Sequence, residues 1–330
     1  MKLNKLLLLL IGVLFLSVIS QAQTRIIFDT DFGIDADDLG ALAMLHHFVD
    51  KNECELAAIM CWSTEQYAVS AIDAVNRFYK HPDILIGARK DSVQFVASSY
   101  SKAIADKFPY TLNHHIVPDA VALYRKILAE SDDYSLVIVT VGPLKNIENL
   151  LGSGGDSISP LSGEELVEQK VREFVMMGGR FPEGKWEWNF SGAMPGVTQN
   201  VLSGLKVPVT FSGFELGVAI KSGEAINRMD PNTPLYVGFM YFSEYAPWMK
   251  KNFKGAILDN STFDQTAVLY AVRNGIGTYW DKVSDGVCVA DEKGGNTWKQ
   301  AENSNHSYLK LTMDQEEIAT VIEKMMLGEF

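Results

Sequence analysis

The chain has 330 residues, a formal net charge of −12 at pH 7 and three cysteines. An acidic chain does not attract polyanions through its overall field, so nucleic acid as a polymer is excluded as a partner, whereas a cation is favoured. An odd number of cysteines at these spacings fits neither a zinc site nor a disulfide framework, which leaves the cysteines as small core residues.

Residues 1–22 have the pattern of a secretory signal peptide. Lys2 and Lys5 precede an apolar run over residues 6–19, and Ser20-Gln21-Ala22 follows with small residues at the two positions that determine cleavage. The run is short for the ~30 Å hydrocarbon layer of a membrane. We therefore expect export, to the periplasm or by secretion, after cleavage near Ala22. No later stretch is apolar enough for a membrane span in the mature chain.

Residues 23–330 are expected to form one α/β domain, because short apolar runs alternate with longer segments of helical period. Strands are predicted at residues 25–28, 56–62, 83–86, 135–141, 173–177 and 207–211. Helices are predicted at residues 39–48, 68–79, 120–129 and 144–151, and a surface loop at 152–159. Continuously apolar strands are buried on both faces, which predicts a mainly parallel central sheet flanked by helices. Ligands bind such sheets at the carboxyl ends of the strands.

Five aspartates stand close together directly after the first predicted strand: Asp29, Asp31, Asp35, Asp37 and Asp38. Carboxylates at the end of a buried strand repel one another and lose hydration, which costs several kcal/mol unless a counter-charge is present. A hard divalent cation removes this cost, and a ligand set made only of oxygens selects calcium or magnesium over zinc. The last two aspartates would also open a helix, whose dipole favours negative charge. The cluster therefore predicts a cation site.

Other structures with clustered aspartates compete with this interpretation. An acidic surface loop with a helix cap is the simplest, although the cluster follows a buried strand. An EF-hand is excluded by register, because counting from Asp29 places Ile34 at the sixth position and Gly40 at the twelfth. A phosphatase of the haloacid dehalogenase type also starts with D-x-D after a buried strand. That family needs a further acidic motif after a later strand, whereas Gly178-Gly179-Arg180 follows residues 173–177 here.

Residues 29–38 resemble the opening motif D-x-D-x-G-x-D-D of the inosine–uridine nucleoside hydrolase family. Two extra residues lie inside the motif, as in a variant that we associate with exported bacterial members. The resemblance continues in three later segments and spans almost the whole mature chain. It implies a nucleoside hydrolase-like fold, with calcium bound by Asp31 and Asp38 and with Asp37 facing the ribose hydroxyls. Residues 136–146 resemble the second segment of the family, which implies that the backbone carbonyl of Val141 also contacts the metal.

The two remaining segments supply further site residues by the same resemblance. Residues 174–179 and the triplet Glu187-Trp188-Asn189 are similar to the family's methionine before Gly-Gly and to its E-F-N triplet. This similarity implies that Met177, Glu187 and Asn189 hold the sugar. Residues 263–267 resemble the H-D-P motif at the start of a late helix, so Asp264 would complete the calcium sphere. The partner is then a small nucleoside or riboside, and a homo-oligomer is compatible with the family.

These groups imply calcium-dependent hydrolysis of the N-glycosidic bond of ribonucleosides or related ribosides, with release of ribose and base for purine or pyrimidine salvage. Calcium held by three carboxylates can chelate the cis 2′ and 3′ hydroxyls of ribose together with one water. Asp31, shared between the metal and that water, would act as the catalytic base while the water attacks C1′. The transition state is oxocarbenium-like, and an anionic site stabilises its positive charge.

Two departures from the family pattern are visible in the sequence. Phe263 stands where the family has a histidine, so one candidate acid for the departing base is missing, and His114, His115 and His306 are open candidates for that role. Residues 190–196 lack the usual D-P-x-A-A start of a helix. Candidates for stacking on a planar base are Trp186, Trp188, Phe263 and Trp298. Phe263 also keeps a non-enzymatic alternative open, namely an exported ribose- or nucleoside-binding protein with little catalysis.

Overall fold

The computed structural model describes residues 23–330, so the predicted signal peptide at residues 1–22 and its cleavage site near Ala22 lie outside the described residues. Across residues 23–330, every helix is too short or too polar to cross a membrane. The three cysteines are all buried and unpaired, which confirms their assignment as core residues.

The strands of the described chain form one eight-stranded sheet and two small sheets. In chain order the strands are β1 (Thr24–Thr30), β2 (Cys54–Cys61), β3 (Leu85–Ala88), β4 (Leu136–Thr140), β5 (Val171–Met177), β6 (Glu183–Gly184), β7 (Val209–Ser212), β8 (Lys221–Ser222), β9 (Asn260–Ser261), β10 (Trp280–Val283), β11 (Gly286–Ala290), β12 (Asn296–Gln300) and β13 (His306–Leu311). The small sheets are β11-β12-β6 and the pair β8-β9.

The helices cover both faces of the large sheet. In chain order the α-helices of residues 23–330 are α1 (Asp37–Asp50), α2 (Ala68–Phe78), α3 (Tyr100–Lys107), α4 (Ala120–Glu130), α5 (Lys145–Leu151), α6 (Gly163–Lys170), α7 (Trp188–Ser191), α8 (Val197–Gly204), α9 (Phe214–Ala219), α10 (Pro234–Tyr245), α11 (Phe263–Arg273) and α12 (Gln315–Met326). A short 3-10 helix covers Glu224–Arg228.

The large sheet has the strand order β10-β13-β7-β5-β4-β1-β2-β3. All neighbouring strands in it are parallel except the pair β10 and β13 at one edge. Side chains of β1 alternate between two cores, since Ile26 and Phe28 pack on one face and Ile27 on the other. Helices therefore bury both faces of the sheet, which is why its central strands are apolar at nearly every position. The predicted α/β fold with a mainly parallel sheet is confirmed.

The direction in which the strands are added changes between β1 and β4. From β1 the chain adds β2 and β3 on one side, and it then returns to place β4 on the other side. Asp29 pairs with Thr140 in the register of β1 and β4, so the residues that follow these two strands emerge next to each other. Such a switch point opens a crevice at the carboxyl ends of the strands, where ligands bind in open α/β sheets.

The predicted elements and the observed elements differ mainly in the last third of the chain. The predicted strand at 83–86 is displaced to β3, and strands β10 to β13 were not predicted. Strands β10 and β12 carry polar residues at exposed positions, as in Asn-Thr-Trp-Lys-Gln of β12, so they lack the continuous apolar run of a central strand. Residues 152–159 contain no helix or strand, as predicted for a loop.

Candidate active site

A cavity of about 380 Å³ opens at the carboxyl ends of β1, β4 and β5. Its walls also include the first turns of α1 and α11 and the segment that leads into α7. All eight site residues predicted from the sequence line it: Asp31, Asp37, Asp38, Val141, Met177, Glu187, Asn189 and Asp264. The fold therefore brings four segments that are far apart in the sequence to one place.

Three buried carboxylates form a compact group in the wall of this cavity. Asp37, Asp38 and Asp264 each offer one oxygen atom, and these atoms lie within 4.8 Å of one another. Asp37 and Asp38 lie in the first turn of α1, and Asp264 lies in the first turn of α11. Both helix dipoles therefore favour negative charge at this point. The structure places Asp37 among the candidate metal ligands, whereas the sequence resemblance had assigned it to the ribose hydroxyls.

Burial and mutual repulsion make these carboxyl groups hard to ionise. Loss of hydration is the largest cause that raises the pKa of Asp37, Asp38 and Asp264 well above the ordinary value, and repulsion from neighbouring aspartates raises it further. Burial, together with the charges of Asp35 and Glu187, also raises the pKa of Asp31 to about 7. Among residues 23–330, no lysine, arginine or histidine lines the cavity, so no basic side chain compensates these charges there.

A hard divalent cation fits this set of donors. Oxygen ligands lie about 2.4 Å from a calcium ion, so ligands on opposite sides of the ion are about 4.8 Å apart. The oxygens of Asp37, Asp38 and Asp264 fall within that separation. Carboxylate oxygens favour calcium or magnesium over softer metals. Asp31 lies outside this compact group, although its charge contributes to the raised pKa of Asp38 and of Asp264.

Asp31 is held in place by the strand ends and by one aromatic side chain. The indole Nε1–H of Trp188 donates a hydrogen bond of 3.0 Å to Oδ2 of Asp31. Gly142, just after β4, lies close to Asp31. A Cβ added to Gly142 would be 2.8 Å from the backbone nitrogen of Asp31 and 2.9 Å from the Cβ of Asp31. A side chain at position 142 would therefore displace Asp31. The absence of a side chain there lets the ends of β1 and β4 meet and fixes the direction of the Asp31 carboxylate.

Asn189 connects the ends of β4 and β5. Its side-chain Nδ2 donates to the carbonyl oxygen of Val141 at 2.9 Å, and it also lies 3.2 Å from the carbonyl oxygen and 3.0 Å from the sulfur of Met177. Three acceptors around Nδ2 determine the orientation of the amide. The Val141 carbonyl, which the resemblance assigns to the metal, is thus positioned by Asn189.

Glu187 is engaged mainly with the backbone of its own loop. Its carboxylate accepts hydrogen bonds of 3.0 Å from the backbone N–H groups of Gly179, Asn189 and Phe190, and it forms the N-cap of α7. These bonds favour the ionised form, but burial has the larger effect and raises the pKa of Glu187 above its ordinary value. The backbone of Gly179 has φ of +74°, a conformation that glycine adopts without strain. The position of Glu187 is therefore set by the turn after β5.

Two aspartates of the cluster have partners of their own. Asp29, still within β1, accepts from the hydroxyl of Tyr124 at 2.8 Å and from the amide of Asn146 at 3.1 and 3.2 Å. Asp29 does not line the cavity, and burial raises its pKa to about 7. Asp35 lines the cavity and accepts from the Asn260 amide at 2.5 Å. The sequence pattern could have indicated Asp35, since it belongs to the same cluster, but the resemblance gave it no role.

The histidines proposed as acids lie elsewhere in the structure. The His114 ring bonds to the carbonyl oxygen of Arg89 at 2.8 Å, and the His306 ring accepts from the Cys288 N–H at 3.2 Å. Neither of these, nor the exposed His115, lines the cavity, so the three are not placed as acids of this site.

The aromatic wall of the cavity differs from the predicted set of stacking residues. Trp186, Trp188 and Phe263 line it as predicted, whereas Trp298 packs against Phe181 and Tyr308 outside it. The sequence analysis missed two aromatic residues that line the cavity, Phe214 and Trp248. Neither belongs to a recognised motif, so no local signal marked them.

Comparisons with known proteins agree with this geometry. The family model described as inosine-uridine preferring nucleoside hydrolase matches residues 26–323. No curated protein matches the chain. This family match makes the alternative of a haloacid dehalogenase-type phosphatase wrong.

Solved structures share the fold at low sequence identity. The purine-preferring ribonucleoside hydrolase from Gardnerella vaginalis has a TM-score of 0.67 and 17% identity, covering 92% of this chain and 99% of that one. The plant nucleoside hydrolase PpNRh1 has a TM-score of 0.64 and 16% identity, with 92% and 98% covered. The type III effector XopQ, complexed with adenosine diphosphate ribose, has a TM-score of 0.64 and 12% identity, with 94% and 93% covered.

We expect Asp38→Asn to melt at a higher temperature than the unaltered protein in metal-free buffer and to lose most of its stabilisation by calcium. The substitution removes one of three mutually repelling buried charges, while the amide oxygen can still accept from the Thr30 hydroxyl. A ligand that binds only the native state stabilises it by RT ln(1 + [L]/Kd), so weaker calcium binding gives a smaller shift of the melting temperature. Scanning calorimetry with chelator and with added calcium measures both effects.

The matched control for this variant is Asp132→Asn, since Asp132 is exposed and lies far from the cavity lining. The control should keep the full calcium-induced shift. An equally large shift in Asp38→Asn would remove Asp38 from the metal ligands.

Proposed function

The chain belongs to the inosine–uridine preferring nucleoside hydrolase family, and we propose that it hydrolyses the N-glycosidic bond of ribonucleosides or related ribosides in a calcium-dependent reaction. Membership of this family makes the protein a ribosyl hydrolase acting on small molecules. One observation carries the finer proposal: all eight residues selected from four separate segments line a single cavity. A chance resemblance in any one segment would not produce this convergence.

The proposed metal site uses Asp31, Asp38, Asp264 and the carbonyl of Val141, with Asp37 close enough to share in it. The support is the compact group of buried carboxylate oxygens. Among the described residues that line the cavity, no basic side chain balances their charge. When bound, calcium would supply sites for the 2′ and 3′ hydroxyls of ribose and for one water, and it would lower the pKa of that water. Asn189 then keeps the Val141 carbonyl directed at the site.

Asp31 is the proposed general base. Its carboxylate lines the cavity and has one oxygen held by the Trp188 indole, and the other oxygen would be shared between the metal and the attacking water, from which it accepts a proton. A fixed base needs no reorganisation before the proton moves. Trp188 therefore serves as a positioning residue in this proposal.

The sugar is proposed to lie against Met177, Glu187 and Asn189. The C1′ centre gains positive charge as the bond to the leaving group breaks, and the carboxylates of the cavity stabilise that charge. Glu187 contributes from a position that the loop backbone already fixes, because it caps α7. Its net effect is to orient the ribose so that C1′ faces the water beside Asp31.

A binding protein with little catalysis is the second candidate function. The observation in its favour is Phe263, which lines the cavity at the position where the family motif has a histidine. The complex of XopQ with adenosine diphosphate ribose shows that a protein with this fold is found with a ribosyl ligand in place.

We also propose that the protein is exported, on the basis of Lys2, Lys5 and the apolar run at residues 6–19. Sequencing of the mature amino terminus after expression in a bacterial host should give a start near Gln23. A mature protein that retains Met1 in the cytoplasm would contradict export.

We expect Asn189→Ala to lower the rate with a ribosyl substrate by at least about tenfold, or about 1.4 kcal/mol. The substitution frees the Val141 carbonyl and removes a polar group from the sugar side of the cavity. Since two buried carbonyl oxygens lose a donor, we also expect a stability loss of roughly 1–3 kcal/mol. Kinetics and urea denaturation measure the two effects separately.

Asn149→Ala is the matched control, because Asn149 is exposed on α5 and outside the cavity. If Asn189→Ala kept the full rate at both low and saturating substrate, Asn189 would have no part in the site.

We expect weak hydrolysis of inosine and clearly faster hydrolysis of 4-nitrophenyl riboside. Protonation of the leaving group by a placed acid contributes ~10²–10⁴ in rate, and a phenyl ring at Phe263 cannot supply the proton. Inosine is a suitable probe because the relative from Gardnerella vaginalis is described as purine-preferring. Release of reducing sugar, measured for both substrates with calcium present, gives the two values of kcat/KM.

Comparable values of kcat/KM for inosine and 4-nitrophenyl riboside would show that a residue other than Phe263 protonates the leaving base. Binding of calcium and ribose without cleavage of either substrate would favour the binding protein.

A further inference from the structure

The cavity lacks an evident proton donor for a leaving group. Within residues 23–330, the side chains that line it include no histidine, lysine, cysteine or tyrosine. The Trp188 indole N–H is already bonded to Asp31. Neutral purine and pyrimidine bases are poor leaving groups unless they are protonated, so the cavity is poorly equipped to expel them.

The carboxyl groups outside the proposed metal site are arranged as acceptors. Asp35 accepts from Asn260 and from the backbone N–H of Asp37 at 3.4 Å. Glu187 accepts from three backbone N–H groups. Both oxygens of Glu187 accept, so protonation of either would weaken or remove a hydrogen bond, and Glu187 is poorly placed to donate a proton. Asp35 makes both of its hydrogen bonds through Oδ1, which ties it to Asn260 and to the first turn of α1.

The wall of the cavity is unusually aromatic. Three of the six tryptophans of the chain line it, and Trp186, Trp188 and Trp248 remain 50%, 37% and 51% exposed. Phe263 stacks on Phe214 with ring centroids 5.0 Å apart. Exposed indole faces at the edge of a cavity bind planar ligands, and they bind cationic ligands more strongly because of the negative charge on the ring face.

The charge of the cavity favours the same kind of ligand. Six carboxyl groups line it: Asp31, Asp35, Asp37, Asp38, Glu187 and Asp264. A bound calcium ion would favour the ionised form of these groups and would itself balance two of the six charges. The guanidinium of Arg180 lies 3.7 Å from the ring centroid of Phe214 but does not line the cavity. A cleft of one sign of charge with apolar walls concentrates ligands of the opposite sign.

We propose that the preferred substrates are ribosides whose leaving group is an aromatic cation, such as pyridinium ribosides; this inference rests on the proposed riboside hydrolysis. Water attacks C1′ and Asp31 accepts its proton, while the bond between C1′ and the ring nitrogen breaks. The electron pair of that bond goes to the nitrogen, and the pyridine leaves as a neutral molecule. No proton has to reach the leaving group. The products are ribose, the neutral pyridine and one proton, so atoms and charge balance.

The test compares three substrates with the calcium-loaded full-length mature protein: N-ribosylnicotinamide as the pyridinium riboside, 4-nitrophenyl riboside as a neutral riboside with a good leaving group, and inosine. We expect kcat/KM for N-ribosylnicotinamide to exceed that for inosine by about 10²-fold or more. We also expect its KM to be lower than that of 4-nitrophenyl riboside, with a difference that shrinks as salt is added.

The outcomes separate this inference from the proposed function. If 4-nitrophenyl riboside is cleaved but either expectation for N-ribosylnicotinamide fails, the preference for cations is wrong while riboside hydrolysis stands. If none of the three substrates is cleaved, the proposed function fails and the inference fails with it.

Substitution of Phe263 tests the missing proton donor directly. Phe263→His should raise the ratio of kcat/KM for inosine to that for N-ribosylnicotinamide by at least about tenfold, because only the neutral base needs an acid. Phe263→Leu controls for the loss of the phenyl ring and should not improve inosine hydrolysis. An equal gain on both substrates, or no gain on inosine, would contradict the assignment.

Trp248→Leu gives an independent measure if changes at Phe263 disturb folding. Trp248 lies at the rim of the cavity and is half exposed, so its replacement should leave the melting temperature almost unchanged. The KM of N-ribosylnicotinamide should rise by roughly threefold more than that of 4-nitrophenyl riboside. An equal rise in the KM of both substrates would show that the aromatic wall does not discriminate between a cationic and a neutral leaving group.

Discussion

The burial of several carboxylates beside one another is the constraint on which the rest of the site depends. Asp37, Asp38 and Asp264 meet where two helices begin, and each helix dipole contributes roughly 0.3–1 kcal/mol in favour of their charge. Burial of an unpaired charge costs several kcal/mol, so the dipoles alone do not balance it. A cation is the remaining means of stabilising the ionised group. This imbalance explains why an oxygen-rich cluster and a metal function belong together here.

The other acidic groups show how the fold separates structural carboxylates from those open to a ligand. Asp29 is satisfied by Tyr124 and Asn146, and it holds the carboxyl end of β1 against α4 and α5. Glu187 is satisfied by backbone N–H groups, and it shapes the loop after β5. Asp37, Asp38 and Asp264 instead turn oxygens towards one another in the wall of the cavity. Their positions depend on these buried hydrogen bonds as much as on the aspartates themselves.

Position 263 shows how packing and chemistry are linked. Phe263 stacks on Phe214, and the guanidinium of Arg180 makes a cation–π contact with the Phe214 ring. A polar side chain at this position would interrupt an apolar stack, whereas a phenyl ring extends it. A phenyl ring therefore lines the cavity where the resemblance to the family led us to expect a histidine. The residues proposed for the metal and the sugar come mostly from other elements, although Asp264 directly follows Phe263 in the first turn of α11.

The sequence by itself determined the central sheet and, through the resemblance to the family, most of the residues that line the cavity. Continuous apolar runs identify strands buried on both faces, and the resemblance to the family implied that Asp31 and Val141 belong to one site. Only the tertiary structure decided the aromatic wall, since Phe214 and Trp248 enter it through the packing of α9 and of the segment after α10. It also decided that Asn189 holds the Val141 carbonyl and that His114 and His306 lie elsewhere. The physical reason is that hydrophobic periodicity is local along the chain, whereas the contacts of a loop or a helix end depend on how distant elements pack.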